Sequence, residues 1–208
     1  MHQTRQEAST KLPIQRKGTK YVARARGDLQ NSVPVVIAIR DILKLAQTAK
    51  EVHQMIKQKL LKVNGRIVID PRESINLFNI LEAGKSYTLT LLPTKRFTFK
   101  ETPIKEGRLC KVVNKRLVSN GKIQFNLHDG SNIITKEKIK IGDSIYLDLS
   151  GKILKHIPLE KGKKVLIYKG KYMGLYGKIN SIERKNIHLT FDKNGSTANL
   201  QEGSIIAI

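Results

Sequence analysis

The sequence predicts an α+β chain that is mostly β, and three observations carry this. Helical spacing of apolar residues is confined to one stretch between Pro34 and about Gln58. From Tyr87 onward every apolar run is short, alternating and punctuated by turn residues. Aromatic residues make up only 5% and Trp is absent, so the core is aliphatic, which suits short strands with solvated outer faces. Four segments are expected: a basic arm at 1–33, a helix–helix–hairpin unit at 34–86, a central β domain at 87–158 and a last β module at 159–208.

Residues 1–33 lack sustained periodicity. KLPIQRKGTKYVARARGDLQNS reads as an extended arm with one short strand near Lys20–Ala25. A disordered terminus and an arm that orders on a polyanion are equally open. Pro34 suits a first helical turn, and Val36, Ile39, Leu43 and Ala46 follow at helical spacing. Thr48 with Glu51 forms a capping box that starts a second helix, whose Val52, Met55 and Ile56 face the first. LLKV and RIVI flank Asn64-Gly65, the strongest short-range hairpin signal, and Pro71–Asn79 reads as a loop. Beyond it, YTLTLL, FTF, LCKVV, KRLV, KIQFNL, NIIT and SIYLDL are strands, with turns at Asn120-Gly121, Asp129-Gly130 and Gly142-Asp143. KVLIYKG, YGKINSIE, NIHLTF and TANL supply the four or five strands of a small barrel.

Charge narrows the partner. The formal net charge is +22 over 208 residues, and the surplus is about +5, +4, +7 and +6 in residues 1–33, 34–92, 93–160 and 161–208. A surplus in every part suits one extended polyanion, because each docked Lys or Arg releases condensed counterions. Cys110 stands alone, which removes a disulfide framework and a cysteine zinc site and suggests a reducing, cytoplasmic setting. No apolar run approaches the roughly 18 residues of a membrane span, and Met1–Lys11 is too polar for a signal peptide. The histidines are scattered, so neither a metal nor a cofactor is expected, and no small-molecule substrate is signalled. His128-Asp129 invites a catalytic reading, but adjacent residues on a strand point to opposite faces, and a hairpin turn explains Asp129-Gly130 better.

IRDILKLA…TAKEVHQMIKQKLLKVNGRIVID resembles the S-four-type RNA-binding domain, in which two helices and a hairpin make a basic concave face for structured RNA. Two departures are Lys59, where a glycine usually ends the second helix, and Asn79, where an acidic residue is expected. Gly170-Lys171-Tyr172-Met173-Gly174-Leu175-Tyr176-Gly177-Lys178-Ile179 looks like a KOW motif, carried on an SH3-like barrel, whose partner is nucleic acid or its machinery. RLCKVVNKRLVSNGKIQFNLHDGSNII at 108–134 is similar, nearly position for position, to the archaeal and eukaryotic small-subunit ribosomal protein family S-four-e. That family has the order found here: basic arm, S-four-type domain, central β domain and KOW barrel.

The resemblance implies a non-catalytic, ribosome-bound protein that organises small-subunit ribosomal RNA in the 5′ domain of the body, beside other small-subunit proteins. The expected RNA-binding residues are Arg40, Lys44, Thr48, Lys50, Lys57 and Arg66 on the S-four-type face. Lys169, Lys171, Tyr172 and Lys178 belong to the KOW loop, and Arg16, Lys17, Lys20, Arg24 and Arg26 to the arm. A transcription elongation factor using the KOW module is the alternative. An RNA-modifying enzyme with an appended S-four-type domain needs a catalytic domain for which residues 87–208 are too short and too evenly β.

Overall fold

In the computed structural model, which describes residues 2–103, 107–118, 121–184, 186–192 and 195–208, the chain divides into two units, Met1–Arg108 and Leu109–Ile208. Along the first run β1 (His2–Thr4), β2 (Tyr21–Ala23), β3 (Ser32–Pro34), α1 (Val35–Ile37), a π-turn segment (Ala38–Ile42), α2 (Ala49–Lys57), β4 (Leu61–Val63), β5 (Arg66–Ile67), β6 (Ser74–Asn76), β7 (Ile80–Ala83), β8 (Lys85–Leu91) and β9 (Phe97–Glu101). They form a five-stranded antiparallel sheet in the order β5-β4-β7-β8-β9 and two small antiparallel pairs, β1-β2 and β3-β6.

The first helix is shorter and wider than its periodicity suggests. Every residue from Ser32 to Ile39 is buried, so this segment is apolar on all sides rather than along one stripe. Three successive β-branched residues, Val35, Val36 and Ile37, crowd the ladder. It widens until the Leu43 N–H reaches the carbonyl of Ala38, five residues back, at 2.9 Å. Lys44 then turns left-handed at φ 55.

The second helix follows its signals closely. Thr48 Oγ1 accepts from the Glu51 N–H at 3.2 Å, while Glu51 Oε2 accepts from the Gln47 N–H at 2.8 Å, one residue before the expected leg of a capping box. Those contacts, led by the Gln47 N–H, hold the Glu51 carboxyl below its ordinary pKa. Val52 and Ile56 are buried, and Met55 is half-buried. At the far end the Leu60 N–H donates to Met55 O at 3.0 Å and the Lys59 N–H to Ile56 O at 2.9 Å, with Lys59 at φ 58. This is a Schellman cap whose left-handed position holds a lysine where glycine fits without strain. Lys59→Gly is therefore expected to stabilise the unit by about 0.5–1 kcal/mol, read as a rise of the thermal midpoint.

Asn64 at φ 51 and Gly65 at φ 78 make the expected hairpin turn. Asn64 also accepts through Oδ1 from the Ile80 N–H at 2.9 Å and donates its own N–H to Ile80 O at 2.8 Å, which fastens the hairpin to β7. Pro71–Asn79 is not wholly loop, since it contains β6. The expected boundary at 86/87 falls inside β8, which pairs with β7 through Leu81↔Tyr87. The alternation in YTLTLL is real, but alternation does not say which sheet a strand joins. Nor is 1–33 a separate segment. Leu12 is 4% exposed, and its neighbour Lys11 accepts at its carbonyl from the Phe97 N–H at 2.8 Å.

The second unit contains β10 (Arg108–Leu117), β11 (Ile123–Leu127), β12 (Asn132–Thr135), β13 (Ser144–Leu147), β14 (Ile153–Ile157), β15 (Lys164–Ile167), β16 (Tyr176–Glu183), β17 (Asn186–Phe191), β18 (Thr197–Gln201) and β19 (Ile205–Ala207). Two five-stranded sheets result, ordered β12-β11-β10-β13-β14 and β18-β17-β16-β15-β19. LCKVV and KRLV, expected as two strands, are one strand with a register shift between Val112 and Asn114. The expected turn at Asn120-Gly121 has its first residue outside the described residues. Phe125, Ile145 and Leu147 centre one core; Val165, Ile179, Leu189 and Ile205 centre the other.

Residues 109–158 and 159–208 do not separate into two units, against the expected boundary at 158/159. Lys111 shows how the sheets are fastened. It is 3% exposed, and its Nζ donates to the carbonyls of Glu202 and Ile205, the latter at 2.8 Å. Glu202 also lies over Gly142, which sits at φ 95; a Cβ there would come within 1.9 Å of Glu202 Oε1. The left-handed backbone is what favours glycine here, while a Cβ would displace the flexible Glu202 carboxylate.

Candidate nucleic-acid interface

The cationic residues expected at the interface are mostly presented to solvent. Arg16, Lys17, Lys20, Arg26, Lys44, Lys50, Lys57, Arg66, Lys169, Lys171 and Lys178 are exposed, while Arg24 is half-buried. Three side chains are otherwise engaged. Arg40 forks onto Asp41, with Nε to Oδ1 at 2.9 Å and Nη2 to Oδ2 at 2.8 Å. Bonding to that carboxylate raises the pKa of an already permanent cation. The Thr48 hydroxyl donates to Glu51 Oε1 at 2.9 Å as part of the cap. The Tyr172 ring packs on Phe191 with centroids 5.0 Å apart and lies at the edge of the second core, half-buried.

The glycine-rich loop between β15 and β16 folds as the spacing suggests. Gly170 and Gly174 have φ 90 and 87, and the Gly174 N–H donates to Ile167 O at 2.7 Å. Gly177 serves a close approach: a Cβ there would lie 2.7 Å from the Thr190 carbonyl oxygen on β17. Lys169 Nζ sits 5.2 Å from the Tyr168 ring centroid and Lys171 Nζ 5.6 Å from that of Tyr172. Lys178 stands on β16 opposite Thr190. Tyr168 donates its hydroxyl proton to Gly203 O at 2.8 Å, and burial raises its pKa.

In the first unit a cleft of about 1380 Å³ brings Arg26, Arg40 and Lys44 together with Arg5, Arg72, Tyr21 and His53. Thr48, Lys50, Lys57 and Arg66 do not line it. Arg5, Arg72 and Tyr21 were not expected there, because arm and helices approach through tertiary packing that no local pattern announces. Arg5 is a strut, donating from Nε to Thr19 O at 2.8 Å and from Nη1 to Gln15 O. Arg72 forks onto Asp70 at 3.0 and 2.8 Å and thereby lowers the pKa of that carboxyl.

The histidine and carboxylate that invited a catalytic reading have structural partners. His128 Nδ1 accepts from the Lys111 N–H at 3.1 Å, which fixes its proton on Nε2. Asp129 Oδ1 accepts from the Ser131 N–H at 3.0 Å and the Ser131 hydroxyl at 2.6 Å, closing the turn with Gly130 at φ 83. Cys110 is buried. Among the described residues no group of three His, Cys, Asp or Glu side chains is placed to hold a metal ion, and no helix is long and apolar enough to cross a membrane.

The small ribosomal subunit protein eS4 of Methanocaldococcus jannaschii is 32% identical over 203 residues, an alignment covering 90% of this chain and 83% of that protein. The chain belongs to the ribosomal S4e family. The profile of Ribosomal family S4e matches residues 83–153, which include β8 to β13. The S4e-family eS4 of Methanothermobacter thermautotrophicus is 31% identical over 218 residues, with 98% and 86% covered. The crystal structure of the 30S ribosomal protein S4e from Thermoplasma acidophilum superposes with a TM-score of 0.72 at 26% identity, covering 86% of this chain and 95% of that one. Like that S4e structure, the present one is mostly β with few helices.

Proposed function

We propose that this protein is a structural constituent of the small ribosomal subunit that binds and organises small-subunit ribosomal RNA. The observation that carries this reading is the 32% identity over 203 residues to an archaeal eS4. The distributed charge supplies the physics. Exposed lysines and arginines on both units neutralise phosphates of neighbouring RNA helices, and joining the units in one chain raises the effective concentration of each contact. Within the reading, the α1–α2 pair and the β4–β5 hairpin act as the S-four-type RNA-binding module. The loop around Gly170–Lys178 on the β15–β19 sheet acts as the KOW module. The arm contributes Arg16, Lys17, Lys20, Arg24 and Arg26. Ribosomal RNA in the 5′ domain and adjacent small-subunit proteins are the partners, chemistry is absent, and the site of action is the cytoplasm.

Sedimentation of a cell lysate on a sucrose gradient tests this. The chain is expected to travel with small subunits at low salt and to leave them as salt rises. Recovery with RNA polymerase rather than with subunits would replace this reading by the elongation-factor one.

A further inference from the structure

The cleft in the first unit differs in chemistry from the rest of the charged surface. Its volume, about 1380 Å³, exceeds the ~300–1,000 Å³ of ordinary small-molecule pockets. Five cationic side chains line it against two carboxylates, Asp41 and Asp70. Arg40 and Arg72 already engage those two. Arg26 and Lys44 have no carboxylate partner in an ion pair among the described residues, although the Arg26 charge helps to lower the Asp70 pKa from within the same cleft. Lys44 holds its place at φ 55, a conformation unfavourable for a lysine.

Between these charges lie exposed non-polar surfaces. Ile69 is 84% and Tyr21 48% exposed, and both line the cleft. Lys20 Nζ lies 5.4 Å from the Tyr21 centroid, and the His2 ring meets it edge-on at 4.4 Å. On the helix wall, His53 Nδ1 donates to Ala49 O at 2.9 Å, which leaves Nε2 for the cleft. A duplex keeps its bases stacked on one another, so it offers no free base face to cover an isoleucine and an aromatic ring. An unpaired base has a π face for both, and single-stranded RNA is gripped by this pairing of cations with stacking platforms.

Building on the RNA-binding reading above, we infer that this cleft takes a short unpaired stretch of RNA. A base lies against Tyr21 and Ile69, and the flanking phosphates reach Arg26 and Lys44. The site thus selects a bulge or loop in the RNA rather than a helix.

The test uses the full chain and fluorescence anisotropy at low salt. The probes are a labelled unstructured ten-nucleotide RNA, an RNA duplex of equal length and an acidic decapeptide as competitor. Tyr21→Ala is expected to weaken single-strand binding about tenfold while duplex binding and the thermal midpoint stay unchanged. Ile69→Ser, at a side chain with almost no packing to lose, should weaken the single strand in the same selective way. Unchanged single-strand binding in both variants, or displacement of the strand by the acidic peptide at equal concentration, overturns the inference. Binding of the duplex alone overturns it too and leaves the RNA-binding reading standing. Binding of neither RNA overturns both.

Discussion

Replacing Lys111 by alanine is expected to lower the stability of the second unit by about 3–5 kcal/mol at neutral pH. The change opens a cavity where the aliphatic stem packed and leaves the carbonyls of Glu202 and Ile205 without a donor. Lys111→Met separates the causes through pH. Burial lowers the ammonium pKa from 10.5 to about 8; the Glu202 charge opposes this and Lys169 reinforces it. The folded-state pKa therefore lies below the unfolded one, and between these values the unfolded chain binds more protons. Stability from this group thus rises with pH from about 8 to about 10.5, by about 3 kcal/mol in all. A neutral amine still has two N–H donors, so both carbonyl contacts survive the deprotonation. Methionine removes the buried charge and both hydrogen bonds, so the variant should be close to the parent at pH 7. It should be about 3 kcal/mol less stable at pH 10.5. Denaturant melts at the two pH values decide this; a gap that stays constant removes the titration from the account.

Charge reversal at Lys50 and Arg66 is expected to weaken ribosomal RNA binding more than tenfold at physiological salt and to reduce the salt slope by about 2. Both side chains are exposed, and neither makes an ion pair among the described residues. Lys50 lies in the first turn of α2, where a glutamate is favoured by the helix dipole, and Arg66 opens the edge strand β5. Stability should accordingly stay within about 0.5 kcal/mol. Filter binding across a salt series measures the first effect and thermal melting the second. Undiminished binding would take both residues off the interface.

What the sequence made legible was local. Thr48 and Glu51 announce the start of α2, Asn64-Gly65 announces the hairpin, and Gly170 and Gly174 announce the loop before β16. Each is a short-range conformational demand met by the residues that make it. The missed features depend on distant partners. Nothing in YTLTLL says that it pairs with β7, and nothing in LCKVV says that Lys111 points at a carbonyl of Glu202. A lysine alternating with Cys110 and Val112 reads as a solvated outer face unless the strand that covers it is known. The contact between the loop residue Tyr172 and Phe191 of β17 is of the same kind, invisible until the sheet is assembled. The cleft is half legible: Arg26, Arg40 and Lys44 are expected RNA-binding residues, but that Tyr21 of the arm and Arg72 of the segment before β6 join them depends on tertiary packing.

Tyr168 has two ammonium groups near its ring, the buried Lys111 6.0 Å from its centroid and the exposed Lys169 at 5.2 Å. Their mutual repulsion is part of what makes the inner one acidic. Negative charge settling on the outer lysine cancels that repulsion and makes the inner one a stronger base. Should the RNA proposed above dock on Lys169, its binding near pH 8 is expected to take up a fraction of a proton, which calorimetry in two buffers of different ionisation enthalpy reads.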